Sequence, residues 1–415
     1  MRWSRGFALA LAATLARTAV ADPEGTGVPR GGAESPGAED ESGETRDEEV
    51  RTGGDRSPQD RAGEPRKDPD REGARGPQDR AGEPREDFVG QQVSASRRAA
   101  AIAVAIFPGV LVHGAGSWVL GRNRAAKWLA VTGAIGVAGM VVGGVPIGLS
   151  GSSPYTIREG VPLVVSGTGL FLSSWLADVW VAAGGAELPA TPLALPPWLV
   201  EVATTWQHDA YRERALLGGA GHLELGRLGL DAGGYVDARN ASRSGEVGAR
   251  WRLLGPAATG RAVADGSRVV VRAAARLDRD DDDQVTLVTA EVELSGRLDL
   301  DRLDPEIRGN FVELLVGGGL TRTGYPEGRH DAAALLLAGF AWGVYLGNRG
   351  EAELFYDHRR DGLAGGLDAS HAAGFVGSFG GSTELRVTGP WAVRGQLQIG
   401  NAWVTTLGIR YRGGP

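Results

Sequence analysis

Thr286-Leu287-Val288-Thr289-Ala290-Glu291-Val292-Glu293-Leu294-Ser295-Gly296-Arg297-Leu298-Asp299-Leu300 decides how this chain is read. Its even positions carry Val288, Ala290, Val292, Leu294, Leu298 and Leu300, and its odd positions Thr289, Glu291, Glu293, Ser295, Arg297 and Asp299. Successive side chains of a β-strand point to opposite faces, so this segment has one oily face and one ionic face. Helical spacing would mix the two kinds of residue around the circumference.

The same split appears on either side of it. Val269, Val271, Ala273, Ala275 and Leu277 alternate with Arg268, Arg272, Arg276 and Asp278, and Val247, Ala249, Trp251 and Leu253 with Glu246, Arg250 and Arg252. Further on, Ala352, Leu354 and Tyr356 oppose Glu351, Glu353 and Asp357, and Trp391, Val393, Leu397 and Ile399 oppose Arg394, Gln396 and Gln398. From Trp198 onward we count about twelve such segments of roughly ten residues, parted by turn chemistry such as Gly255-Pro256, Asn348-Arg349-Gly350 and Thr388-Gly389-Pro390. The pattern predicts a mainly β protein, an antiparallel transmembrane β-barrel of about twelve strands over 198–415. The ions Glu291, Glu293, Arg268, Arg272, Arg250, Arg252, Arg394 and Arg410 then face a narrow lumen, paired across neighbouring strands.

A soluble β-sandwich alternates too, but its outward residues are mostly polar and its strands short. Here aromatic residues fall near segment ends (Trp198, Trp206, Tyr235, Tyr325, Tyr345, Trp391, Trp403, Tyr411), where an interfacial girdle needs them. In architecture the chain resembles the outer-membrane β-barrel class. Members of that class tend to end on an aromatic residue read by the assembly machinery; here Tyr411 is followed by Arg412-Gly413-Gly414-Pro415.

Upstream the character changes twice. Arg2 and Arg5 precede an apolar stretch from Gly6 to Leu15, and Ala19-Val20-Ala21 offers the small residues a signal peptidase reads, so 1–21 is expected to be a signal peptide cleaved before Asp22. Residues 22–96 are rich in Gly, Pro and charge, contain almost no large apolar side chains and repeat the block Pro58–Arg66 at Pro77–Arg85; a disordered low-complexity linker is expected. A hydrophobic helical region over 97–187 follows, with apolar stretches Ala99 to Gly121, Trp128 to Ser150 and Val161 to Ala177, each about long enough to span a bilayer.

Three spans after a cleaved signal would leave the β region on the cytoplasmic side, where a barrel cannot assemble. Gly and Pro dilute the stretches, and the third ends against Asp178. At least one is therefore expected not to span, and a compact hairpin packed on the barrel or at a membrane surface fits better than three inner-membrane helices. The run Phe107-Pro108-Gly109-Val110-Leu111-Val112-His113-Gly114-Ala115-Gly116-Ser117-Trp118-Val119-Leu120-Gly121 resembles a Pro-Gly/Gly-rich helix-hairpin motif of uncharacterised bacterial membrane families, which implies a packed helix pair and no chemistry.

Composition narrows the function. The 66 glycines fall largely inside apolar stretches, where they serve close backbone packing, and the absence of cysteine excludes disulfides and thiolate metal sites. A net charge of -7, with Lys67 and Lys127 the only lysines, offers no basic face for nucleic acid. The expected partners are the lipid bilayer and the outer-membrane assembly machinery.

The histidines supply the candidates for chemistry: His208-Asp209, His222 with Glu224, His330-Asp331, Asp357-His358, and Asp368-Ala369-Ser370-His371. His222 and Glu224 share a strand face, as do Asp368 and Ser370, whereas Asp357 and His358 face opposite ways on a regular strand. Asp280-Asp281-Asp282-Asp283 could offer oxygens to a hard cation, but reads as a solvated hairpin tip. No catalytic, cofactor or metal residue is therefore assigned. The expected role is an exported outer-membrane barrel, structural or narrow-pore. A barrel-type lipid-modifying enzyme, and an inner-membrane helical protein with a soluble C-terminal β domain, are the alternatives.

Overall fold

The computed structural model describes residues 93–151, 153–188, 190–209, 213–239, 242–260, 263–281, 284–358 and 377–414. The expected signal peptide and nearly all of the linker lie outside these residues, as do Asp282, Asp283, Asp368, Ser370 and His371.

Twelve strands form one closed sheet: β1 (Trp198–Asp209), β2 (Glu213–Leu225), β3 (Leu228–Asp237), β4 (Ser242–Leu254), β5 (Arg268–Asp280), β6 (Val285–Asp299), β7 (Asn310–Gly324), β8 (His330–Leu346), β9 (Gly350–Asp357), β10 (Ser378–Thr388), β11 (Trp391–Ile399) and β12 (Ala402–Gly413). Each pairs antiparallel with its neighbours in sequence. β12 returns to β1 in an unbroken register from Trp198↔Gly413 to Asp209↔Ala402, so no strand presents an unpaired edge. That closure rules out the sandwich, which needs two separate sheets.

The register carries the alternation around the whole wall. Val292 lies beside Ala273 and Gly318, and Glu291 beside Ala274 and Gly319, so one face of every strand joins one face of the barrel. The oily positions point outward: Val202, Val247, Val292, Leu320, Leu407 and Ile409 are all more than half exposed. A soluble domain would leave that apolar surface in water. β6 stops at Asp299, one residue short of the alternating run, because Leu300 opens a 3-10 turn and is buried beneath the helices.

We call the end where β1 starts and β12 finishes proximal. Outward aromatics mark both ends. At the proximal end Trp198 stacks on Tyr411 with ring centroids 5.4 Å apart and Trp391 meets Tyr411 edge-on at 4.9 Å, while Trp206 and Trp403 lie exposed at the distal end. Two residues expected in this girdle are not part of it. Tyr235 and Tyr345 occupy lumen-side register positions, beside Gly218 and Glu351, and their hydroxyls donate to Asp278 and Asp299.

Among the described residues four α-helices precede the barrel: α1 (Ala95–Ile106), α2 (Ala115–Val119), α3 (Asn123–Leu149) and α4 (Pro154–Ala182). The first of the three apolar stretches differs from the other two, in line with the expectation that at least one is not a span. Among the described residues only α3 and α4 are long and apolar enough to cross a membrane; the first stretch breaks at the Phe107-Pro108 turn and doubles back through α2. α3 and α4 meet through glycine. A Cβ at Gly143 would sit 2.5 Å from the Gly160 carbonyl, and one at Gly167 2.6 Å from that of Gly136, so the two backbones touch as in membrane helix pairs.

α4 then packs on the outer wall of the barrel. Val161, Val165 and Leu172 cover Leu314, Ala338, Phe340 and Tyr356 on β7, β8 and β9, and near the proximal end Ala177 and Val181 join Leu298, Leu300, Ile307 and Val312.

Candidate functional site

The lumen collects the ionic faces. In its proximal half every strand except β8 contributes a charged group, and these are matched between strands. Arg272 on β5 bonds Glu246 on β4 and, at 3.0 Å, Glu291 on β6, with Glu293 at 3.7 Å. Arg410 joins Glu201 at 2.6 Å and Glu384; Arg412 also bonds Glu384, and Arg394 lies 3.7 Å from Glu201. Arg268 faces Glu313 at 3.6 Å.

Arg297 is the most enclosed of these paired arginines. It bonds Glu351 at 2.9 Å and the Tyr345 hydroxyl at 3.2 Å, and its guanidinium lies 3.3 Å above the Phe311 ring, so charge, hydrogen bond and π-face all hold it. The opposite end differs. There Arg214 bonds Asp280 at 2.8 Å and Arg276 bonds Asp278 at 2.7 Å, while midway along the barrel the inward faces of β7 and β8 are uncharged: Leu315, Gly317, Gly319, Leu335, Leu337 and Gly339.

Each expected inward ion (Glu291, Glu293, Arg268, Arg272, Arg250, Arg252, Arg394, Arg410) lies on this face. His222 and Glu224 meet at 3.0 Å, and the other ring nitrogen of His222 meets Asp231 at 2.8 Å. Arg250 and Arg252 complete the knot, bonding Asp231 and Glu224 at 2.9 and 2.7 Å. Both imidazole nitrogens are thereby engaged by carboxylates within the wall.

The other histidine candidates disperse. His208 points outward at the distal end of β1; His330 and Asp331 are exposed, with the Asp331 carboxylate accepting from the Ala332 N–H; His358 meets the Tyr356 hydroxyl at 2.9 Å and not Asp357. The acidic run splits as well, Asp280 turning inward to Arg214 while Asp281 bonds Arg279 at 2.6 Å. Among the described residues no group of three or more His, Asp or Glu side chains is placed to hold a metal ion.

At the proximal rim Tyr345 donates to Asp299 at 2.6 Å, and Asp299 accepts from the Gly266 N–H, also at 2.6 Å. Nearby, burial pushes the Asp265 carboxyl up, but hydrogen bonds from Ser267 and Arg302 outweigh it and hold the group below the usual carboxylate range.

Sequence reasoning missed a second polar centre, in the helices. Asp178 on α4 is fully buried and accepts from the Gly116 N–H at 2.9 Å, the Ser117 N–H at 2.8 Å and the Ser117 hydroxyl at 2.6 Å. Beside it His113 Nδ1 and Ser174 Oγ are 2.5 Å apart, and His113 Nε2 lies 3.2 Å from the Val110 carbonyl. The tautomer that donates from Nε2 to Val110 leaves Nδ1 as an acceptor, and the single Ser174 hydroxyl proton, which also reaches the Phe171 carbonyl at 2.9 Å, serves one of the two. His113 and Ser174 are both buried, so this contact latches the Phe107–Leu120 turn onto α4. The signal that could have found it was an aspartate inside an apolar run, which demands a partner.

The closed register, the outward apolar wall and the paired ions of the lumen define a β-barrel of the transmembrane class. No protein-family model matches the chain, and no curated protein is similar to it. Among solved structures it is similar to the KdgM porin (9% identity over 51% of this chain and 99% of that one, TM-score 0.33) and to the NanC porin (6%, 52% and 100%, TM-score 0.35). It is also similar to the β domain of the Bordetella autotransporter BrkA (12%, 52% and 99%, TM-score 0.29). These likenesses concern fold alone.

Proposed function

We propose that the chain is an outer-membrane β-barrel whose role in the envelope is structural or that of a narrow pore. The observation that carries this reading is the pairing of two opposite surfaces on one wall: an exposed apolar exterior that suits hydrocarbon, and an interior whose charges answer each other around the ring. Lipid cannot hydrogen-bond a backbone, so a membrane-spanning sheet must close, as this one does.

The lumen supports a passive role. A channel that selects strongly for one sign of ion needs a ring of uncompensated charge, whereas here Arg272, Arg297 and Arg410 each sit against carboxylates. Some of these pairs tie adjacent strands, as Arg272 ties β4, β5 and β6, and others reach between strands that are not neighbours, as Arg297 on β6 does to Glu351 on β9; both kinds stiffen the wall. Export by the N-terminal signal, and insertion by the outer-membrane assembly machinery, belong to the same proposal.

Separation of inner from outer membranes, with gel mobility of heated and unheated protein, tests it. Recovery in the outer membrane with a heat-dependent shift is the expected result; recovery in the inner membrane without a shift overturns it. Purified protein in planar bilayers then divides the two roles: small, weakly selective current steps identify a pore, and their absence identifies a structural barrel.

A further inference from the structure

We infer that residues 95–182 are embedded in the same bilayer as the barrel, α3 and α4 crossing it side by side and α1 with α2 forming a re-entrant loop, so that the α3–α4 turn emerges at the barrel's distal end. The inference rests on the barrel being membrane-inserted and adds a second lipid-facing surface.

Position comes first. Over most of its length α4 covers the lipid-side residues Leu314, Ala338, Phe340 and Tyr356 and reaches the β6–β7 connection only at its proximal end, so it occupies space that lipid would otherwise fill. Its apolar part runs from Gly160, just after Arg158 and Glu159, to Ala177, just before Asp178. At about 1.5 Å per residue this stretch is roughly 27 Å long, close to the apolar band of about 25 Å on such barrels.

The exposed surface of α3 is continuous with the barrel's own. Val131, Ile135, Val141, Val142, Val145 and Leu149 are all close to half exposed or more, facing away from α4, while Arg122, Arg124 and Lys127 gather at the opening end of the helix. Arg124 there forms an ion pair with Asp304 at 2.9 Å, in the proximal β6–β7 connection. One occupant fits that surface, the hydrocarbon of the bilayer that already bathes Val292 and Leu320.

The first stretch behaves as a re-entrant loop should. α1 begins beside α4's proximal end, where Arg98 bonds Glu187 at 2.7 Å; it climbs until the Trp175 indole donates to the Ala105 carbonyl, turns at Pro108, and returns through α2 to Arg122, which also bonds Glu187. Non-helical backbone at membrane depth is tolerated only when protein satisfies it. Asp178 does so for Gly116 and Ser117. Two crossings also return the chain to the side from which it entered, so β1 begins at the proximal end with no topological conflict.

The chain has no cysteine, which makes single-cysteine labelling direct. Ser150→Cys in the α3–α4 turn, Asn401→Cys in the distal β11–β12 turn and Asn348→Cys in the proximal β8–β9 turn are expressed as full chains in a bacterium with an outer membrane, then exposed to a membrane-impermeant maleimide before and after permeabilisation. Ser150→Cys is expected to label in intact cells as Asn401→Cys does, and Asn348→Cys only after permeabilisation. If the two barrel turns divide this way but Ser150→Cys follows Asn348→Cys, or labels in neither condition, the hairpin does not cross. If the two barrel turns do not divide, the barrel reading itself fails. Ser153→Cys repeats the test should the first variant not accumulate.

Discussion

Asp178 holds Ser117 twice, through the backbone N–H at 2.8 Å and the side-chain hydroxyl at 2.6 Å, and so fastens the tight turn before α3 to a helix sixty-one residues later in the sequence. Both residues are fully buried. The carboxylate gives three donors of this turn an acceptor, which helps an irregular stretch of backbone to lie between apolar helices.

Asp178→Ala would strand three donors where water cannot reach them. At roughly 1–3 kcal/mol for each buried group left unmade, the helical segment should lose at least about 3 kcal/mol. Limited proteolysis of the detergent-extracted full chain should show cleavage within 93–188 at protease levels the parent survives, with the heat-modifiable shift of the barrel retained. Ser117→Ala removes one donor together with its need, and should cost roughly 1 kcal/mol.

Gly169 faces the Phe340 side chain, and a Cβ there would come within 2.6 Å of the ring. Gly169→Leu should push α4 off the barrel wall, and Phe340→Ala should restore the seat in the double variant. Cross-linking of Val165→Cys to Ala338→Cys with a short bifunctional maleimide measures this: the yield should fall several-fold in Gly169→Leu and recover when Phe340→Ala is added. Additive losses would show that the two residues do not share a contact.

Arg272 answers three carboxylates from two neighbouring strands. Arg272→Ala leaves Glu246, Glu291 and Glu293 together without their cation, and breaking a buried pair from one side costs roughly 3 kcal/mol. The temperature at which the barrel loses its compact gel mobility should drop clearly. Replacing Glu291 with Gln in that background should recover part of the loss, because the repulsion it relieves is among carboxylates.

Glu384 bonds both Arg410 and Arg412. If ions pass the lumen, Glu384→Gln should move the reversal potential in a salt gradient toward anion preference, since two guanidinium groups lose their shared carboxylate. An unchanged reversal potential with current still flowing would place the ion path away from β10 and β12.

The alternation of Thr286 to Leu300 and its relatives determined strand, face and closure together, because period two has one geometric meaning and the outward residues were too oily for water. His222 beside Glu224 was equally legible, since residues two apart on a strand share a face. Girdle membership was not: Tyr235 and Tyr345 lie near strand ends like Trp198 and Trp391, and only register parity turns them into the lumen.

The helical region divides the same way. Its apolar length said membrane, and its glycines said close packing. Which stretches pair was decided by tertiary structure, because Gly136, Gly143, Gly160 and Gly167 had to be brought face to face before α3 and α4 could be recognised as a pair. Asp178 read as an obstacle to insertion until the turn it caps stood beside it. A hydrogen bond between residues sixty-one positions apart leaves no periodicity in sequence, whereas a strand writes its faces into every second residue.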